Sequence, residues 1–134
     1  MPDYPECSFE LTLLSERFMV CRLPAGSEVP DWAQSGDLSA IVRTPEEMSI
    51  VCSECIIPDN VIAECGWRVL KVEGPLEFSM VGVLASLALP LSQAEVSIFV
   101  LSTYDTDYLM VKEDALSKAL ISLCEAGHII LDDG

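Results

Sequence analysis

Apolar positions in this chain follow two regimes. Up to about residue 66 they fall in short strand-like runs, and no stretch shows sustained helical spacing. Beyond that point, strand-like runs alternate with apolar positions spaced three and four apart. Phe9 to Leu14 (FELTLL) and Phe18 to Leu23 (FMVCRL), separated by Ser15-Glu16-Arg17, predict a β-hairpin. Pro24 to Gly36 is rich in Pro, Gly and Ser, with one helical turn after Pro30-Asp31 in which Trp32 covers the edge of a core. Leu38 to Arg43 and Met48 to Cys52 predict a second strand pair. Thr44-Pro-Glu-Glu47 between them has the pattern of a helix start, but the β-branched run that follows makes it a turn. Ile56 to Gly66 reads as a linker with one helical turn after Asp59.

The second regime opens with a strand at Arg68 to Val72 (RVLKV). Val83, Leu84, Leu87 and Leu91 then mark one face of a helix. Pro90 lies inside it and is predicted to clash with the carbonyl of Ser86 and kink or end the helix. Val96 to Leu101 is apolar on both faces, the pattern of a strand in a sheet's interior. A polar loop, Ser102 to Asp107, joins it to a partner strand at Tyr108 to Val111. Asp114 to Ala126 has the clearest helical pattern, stopped by Gly127, and His128 to Leu131 is a closing strand. His128, the single histidine, is predicted to cap the last carbonyls of that helix. The order β-α-β-β-α-β predicts an α+β fold of the ferredoxin-like kind, an antiparallel sheet with both helices on one face. The strand-rich first half, or a second copy of the chain, is expected to cover the other face.

Composition narrows the functional classes. The 134 residues are 51% hydrophobic, enough for a substantial core, and 22 acids against 7 bases give a net charge of -15. Such a surface repels phosphate and anionic lipid, so neither nucleic acid nor membrane is expected as a partner. The start, MPDYPECSFE, lacks the basic and apolar segments of a secretion signal, and no apolar stretch reaches a membrane-spanning length, so the cytoplasm is the expected location.

The six cysteines, Cys7, Cys21, Cys52, Cys55, Cys65 and Cys124, are expected to be reduced in that setting. Cys52-Ser-Glu-Cys55 has C-x-x-C spacing, with Cys65 further on and His128 as a candidate fourth ligand. No second C-x-x-C completes a zinc site, so no metal is expected. Catalysis needs a nucleophile with an orienting base, a carboxylate pair in a cleft, or a metal. None has a recognisable pattern here, so neither a catalytic residue nor a cofactor is assigned.

The residues that could hold a ligand lie between Gly74 and Val111. A free amino acid presents a carboxylate and an ammonium. Unpaired N–H groups at a helix start suit the carboxylate, here those of Gly82, Val83 and Leu84. Acids such as Asp105 and Asp107 suit the ammonium or a basic side chain. The plainer reading of both aspartates is that they shape the loop, and Gly82 could equally serve only the helix start.

The segment GPLEFSMVGVLASLALPLSQAEVSIFVLSTYDTDYLMVKE, with EEMSIVC and GWRVLKVEG before it, resembles ACT-domain proteins related to the CASTOR-type arginine sensors. Ser102-Thr-Tyr-Asp-Thr-Asp-Tyr108 is the most specific piece, and the resemblance runs from Phe9 to Ile130. It implies tandem modules, a divergent one at 1–66 and a regular one at 67–134. It further implies a regulatory small-molecule-binding protein, not an enzyme, that binds an amino acid at a module interface and homodimerises. The family's glycine-containing loop matches Phe78 to Val83, and the aspartate that meets the ligand's guanidinium matches Asp107. The ligand set so implied is Ser79, Met80, Val81, Gly82, Val83, Leu84, Ser102, Thr103, Asp105 and Asp107, with arginine or lysine favoured. The sensors have four modules and this chain has room for two, which leaves a site completed across a dimer or a site lost. In the second case the chain is an interaction module without a ligand.

Overall fold

The structure, a computed structural model, describes residues 8–74 and 82–132. The chain divides into two compact units. Glu16–Trp67 forms one, and the described residues up to Ser15 join those from Arg68 onward in the other. The first strand falls in the unit of the C-terminal half.

In that unit the elements are β1 (Glu10–Leu13), the second half of β5 (Ile62–Val72), α1 (Val83–Gln93), β6 (Phe99–Ser102), β7 (Asp107–Lys112), α2 (Leu116–Glu125) and β8 (Ile129–Asp132). From β5 onward they run β-α-β-β-α-β, the expected ferredoxin-like order. The sheet order is β6-β7-β5-β1-β8, with β1 antiparallel to β5 and parallel to β8. Leu11, Leu70, Val72, Leu109 and Val111 of the sheet share one buried cluster with Val83, Leu87 and Leu91 of α1 and Ala119 and Leu123 of α2. Both helices therefore cover the same sheet face, and their inward residues recur at four-residue spacing.

Two sequence expectations change here. FELTLL and FMVCRL both form strands, but they do not pair as a hairpin: β1 lies between β5 and β8, and β2 (Phe18–Pro24) pairs with β4 and β5. β6 is not interior. It pairs with β7 at the end of the sheet, and its residues are half-buried or exposed.

The second unit holds β2, β3 (Ala40–Arg43), β4 (Glu47–Ser53) and the first half of β5, with a 3-10 turn at Asp31–Gln34. Its strand order is β3-β4-β2-β5. Met19, Cys21, Ala33, Met48, Ile50 and Cys52 form its buried cluster, and Trp32 packs against it as expected. The β3–β4 turn is made by Thr44, whose hydroxyl accepts the N–H groups of Glu46 (3.2 Å) and Glu47 (3.1 Å). The same local chemistry that caps a helix here closes a hairpin. Residues 62–66, read as linker, are strand. Their mostly exposed side chains give no alternation for the eye to find.

Candidate functional site

β5 and the β6–β7 hairpin build the candidate site. Leu70 and Val72 point into the helix-covered core, so Lys71 between them points to the opposite sheet face. By the same alternation Leu109 and Val111 place Asp107 on the helix side and Tyr108 on the side of Lys71. A pocket of about 260 Å³ opens between the end of β5 and the hairpin, lined by Lys71, Gly74, Thr103, Asp105, Thr106 and Tyr108.

Thr106 fixes the two walls to each other. Its side chain is 5% exposed, and its hydroxyl donates to the carbonyl of Val72 at 2.6 Å. The loop itself closes through Thr103, whose N–H donates to the Thr106 carbonyl at 2.8 Å and whose hydroxyl accepts the Thr106 N–H at 3.2 Å. Lys71 and Asp105 bring opposite charges to one pocket, the polarity that a zwitterion matches.

Of the ligand set expected from sequence, Thr103 and Asp105 line this pocket. Ser102 and Asp107 face each other across the hairpin, the Ser102 hydroxyl donating to Asp107 Oδ1 at 2.6 Å. Gly82, Val83 and Leu84 are not among the lining residues. Gly82 is left-handed (φ 82°, ψ 5°) and precedes the first turn of α1, its carbonyl accepting the Ser86 N–H at 2.9 Å. The N–H groups of that first turn have no acceptor within the helix. Val83 turns its side chain into the core, 8% exposed, and Leu84 is 44% exposed. Ser79, Met80 and Val81 lie outside the described residues. Lys71, Gly74, Thr106 and Tyr108 were not in the expected set. The one signal for them was Lys71 itself, a charge inside the otherwise apolar run VLKV.

His128 belongs to the frame of this unit. The end of α2 is capped by backbone alone: Gly127 (φ 98°) donates to the Cys124 carbonyl and the His128 N–H to that of Leu123, each at 3.0 Å. The imidazole, expected to cap those carbonyls, points elsewhere. Its Nδ1 accepts the Phe9 N–H at 3.1 Å, which places the ring proton on Nε2, 3.1 Å from the Ser86 carbonyl of α1. Among the described residues no group of three or more His, Cys, Asp or Glu side chains could hold a metal ion, and no helix is long and apolar enough to cross a membrane.

A family model for the ACT domain matches residues 62–125, the segment that carries β5 to α2. A crystal structure of protein Atu0741 from Agobacterium tumefaciens is 37% identical, covers 96% of each chain and superposes with a TM-score of 0.89. The chain belongs to the ACT-domain family. A second model, for the N-terminal domain of a group of like proteins, matches residues 16–60, nearly the whole of the other unit. This ACT-domain protein is also related to the human cytosolic arginine sensor for mTORC1 subunit 1, at 34% identity over 55 residues. That match takes in 40% of this chain and 17% of the sensor, so the chain spans about a sixth of the relative's length. Clostridium acetobutylicum aspartate kinase shares the fold, with a TM-score of 0.64 at 15% identity over 84% of this chain and 33% of the kinase.

Proposed function

We propose that this ACT-domain protein is a non-enzymatic regulatory protein of the cytoplasm that binds a free amino acid in the pocket between β5 and the β6–β7 hairpin. The observation that carries the reading is the pairing of Lys71 with Asp105 in one pocket of about 260 Å³. A ligand carboxylate meets the Lys71 ammonium, and its ammonium or basic side chain meets Asp105. The hydroxyls of Thr103 and Tyr108 supply polar contacts in the same pocket.

The set that the family resemblance implies, Ser79, Met80 and Val81, the first-turn N–H groups of Gly82, Val83 and Leu84, and Ser102 and Asp107 in the hairpin, is a separate proposal from this pocket, which it shares only through Thr103 and Asp105. Arginine or lysine is the favoured ligand: Asp105 in the pocket suits a cationic side chain, and the human relative's name is that of an arginine sensor. The two units are read as tandem modules, the one at Glu16–Trp67 divergent because a 3-10 turn stands where the other unit has an α-helix. The working form is a homodimer that passes the bound state to a protein partner.

Thermal-shift screening of the twenty amino acids tests the reading. A ligand at a hundred times its dissociation constant adds about 2.7 kcal/mol of stability. A rise in midpoint with arginine or lysine is expected. If no amino acid moves it, the sensor reading fails and an interaction module without a ligand remains.

A further inference from the structure

The strand order of the Glu16–Trp67 unit ends on β3, which has β4 on one side and no strand on the other. The turn between β3 and β4 fixes where the backbone groups of β3 point. The Thr44 N–H donates to the Glu47 carbonyl at 2.9 Å, so these two residues are a hydrogen-bonded pair. Such pairs alternate along an antiparallel ladder, which makes Val42–Ser49 and Ala40–Val51 the next ones. The N–H and C=O groups of Ile41 and Arg43 therefore point away from β4, and no other backbone group among the described residues takes them.

The side chains leave the same edge open. Ile41 stands opposite Ile50 and Arg43 opposite Met48, both of the buried cluster, so this face of β3 extends the unit's core. Ile41 nevertheless stays 38% exposed, and Val42, on the opposite face, 52% exposed. Sheet edges are commonly guarded by charges, proline or a bulge. β3 has neither proline nor bulge, and its one charge, Arg43, reaches back to the Ser27 carbonyl at 3.1 Å. Leu38 to Pro45 contains no acid at all, a run of net charge +1 in a chain of net charge -15. The other two sheet ends differ: β6 exposes no large apolar side chain, and β8 carries an acid, Asp132.

We propose that the homodimer put forward above, on which this contact rests, forms through β3, which pairs antiparallel with β3 of a second copy about a two-fold axis at Ile41. Bonds form only in registers that set outward-facing residues against one another. Of these, Ile41 opposite Ile41 engages β3 most fully, with Arg43 opposite Ser39 on either side of the axis. The row Ile50–Ile41 then continues into Ile41 and Ile50 of the second copy and links the two cores. On the other face Val42 falls opposite Ala40 and loses its exposure to water. The occupant is a second copy because the match is reciprocal, as a two-fold contact requires. Apolar meets apolar in both rows, and no acid opposes an acid. Arg43 brings its positive charge toward Asp37 of the second copy, two positions beyond Ser39.

Sedimentation velocity on the full chain, with no amino acid added, tests the contact beside the variants Ile41→Pro and Val42→Lys. Ile41→Pro removes an N–H that points away from β4 and so spares the β3–β4 ladder. Val42→Lys sets a charge against Ala40 of the second copy. A dimeric parent chain and two monomeric variants that keep the parent's far-ultraviolet circular dichroism are expected. A monomeric parent overturns the contact and removes the homodimer from the proposed reading. A dimer that survives either substitution in a folded chain overturns β3 alone. Should neither variant fold, amide exchange on the unmodified chain decides. The Ile41 and Arg43 amides are expected to be protected, and exchange at the rate of open-chain amides refutes the pairing. Amino-acid thermal shifts read the pocket separately, so a failed β3 contact and a failed sensor reading give different results.

Discussion

His128 donates its Nε2–H to the carbonyl of Ser86, the acceptor that Pro90 cannot use. In an unbroken helix that carbonyl would receive the N–H of the residue four positions on, and proline has none. α1 nevertheless runs on to Gln93, because the imidazole supplies the missing donor from outside while its Nδ1 takes the Phe9 N–H. One buried ring, 5% exposed, thus ties α1 to the chain just ahead of β1.

Replacing His128 with Ala strands a buried N–H and a carbonyl and should cost roughly 2–4 kcal/mol, from the penalty of leaving buried polar groups unpaired. Pro90→Ala restores a helical donor to Ser86. The His128→Ala loss should therefore be smaller in the Pro90→Ala background, measured by urea unfolding as a double-mutant cycle. Additive losses would show that the two residues do not share that carbonyl.

Thr106→Val keeps the shape of the side chain and removes the hydroxyl that holds the hairpin to Val72. A buried carbonyl without its donor costs about 1–3 kcal/mol. Amide exchange should quicken in the 102–107 hairpin more than in β1 or β8, and affinity for the proposed ligand should fall with it. Uniform loss of protection across the sheet would mean that Thr106 serves the whole core and not the pocket wall.

The strands and helices of the C-terminal half were legible because each carries its own period: Leu70 and Val72, or Leu87 and Leu91, declare a face without outside help. Partners were not. FELTLL and FMVCRL look like a hairpin, since a short polar link is the local signal for one, yet β1 inserts between β5 and β8. Pairing is decided by residues such as Val72 and Ile130, more than fifty positions away, and a local pattern cannot contain them. The site was half legible for the same reason. Thr103 and Asp105 stood out in a polar loop, but Lys71 and Thr106 matter through what folds against them.

Asp105 and Asp107 differ in ways that their spacing concealed. Asp105 lines the pocket, whereas Asp107 receives the Ser102 hydroxyl at 2.6 Å on the helix side of the hairpin. Asp105→Asn should weaken binding of a cationic amino acid about tenfold to a hundredfold, the range for losing a charge-assisted hydrogen bond of about 1.5–3 kcal/mol. Its unfolding midpoint without ligand should hardly move. Isothermal titration of Asp105→Asn beside Asp107→Asn checks the assignment. A larger affinity loss in Asp107→Asn would return the contact to the residue that the family resemblance marks.

The buried thiols give the protein an alkaline limit. Burial, followed by the neighbouring Cys65 and Cys55, pushes Cys21 up from an ordinary 9.0 to about 11. Burial, then Cys21 and Cys55, raises Cys52 to about 12. In the unfolded chain both titrate near the ordinary value, so the unfolded state gives up its protons first. Below pH 9 both states hold them and stability is unaffected; from about pH 9 to 11 or 12 the folded state binds more protons, and stability falls as pH rises. Denaturant titrations through that window should show the decline, with a shallower slope in Cys52→Ala. At neutral pH, N-ethylmaleimide should label the exposed Cys55, Cys65 and Cys124 in the native chain and reach Cys21 and Cys52 only on unfolding. Native labelling of Cys21 or Cys52 at the rate of Cys124 would mean that the β2–β4 core opens far more readily than its packing implies.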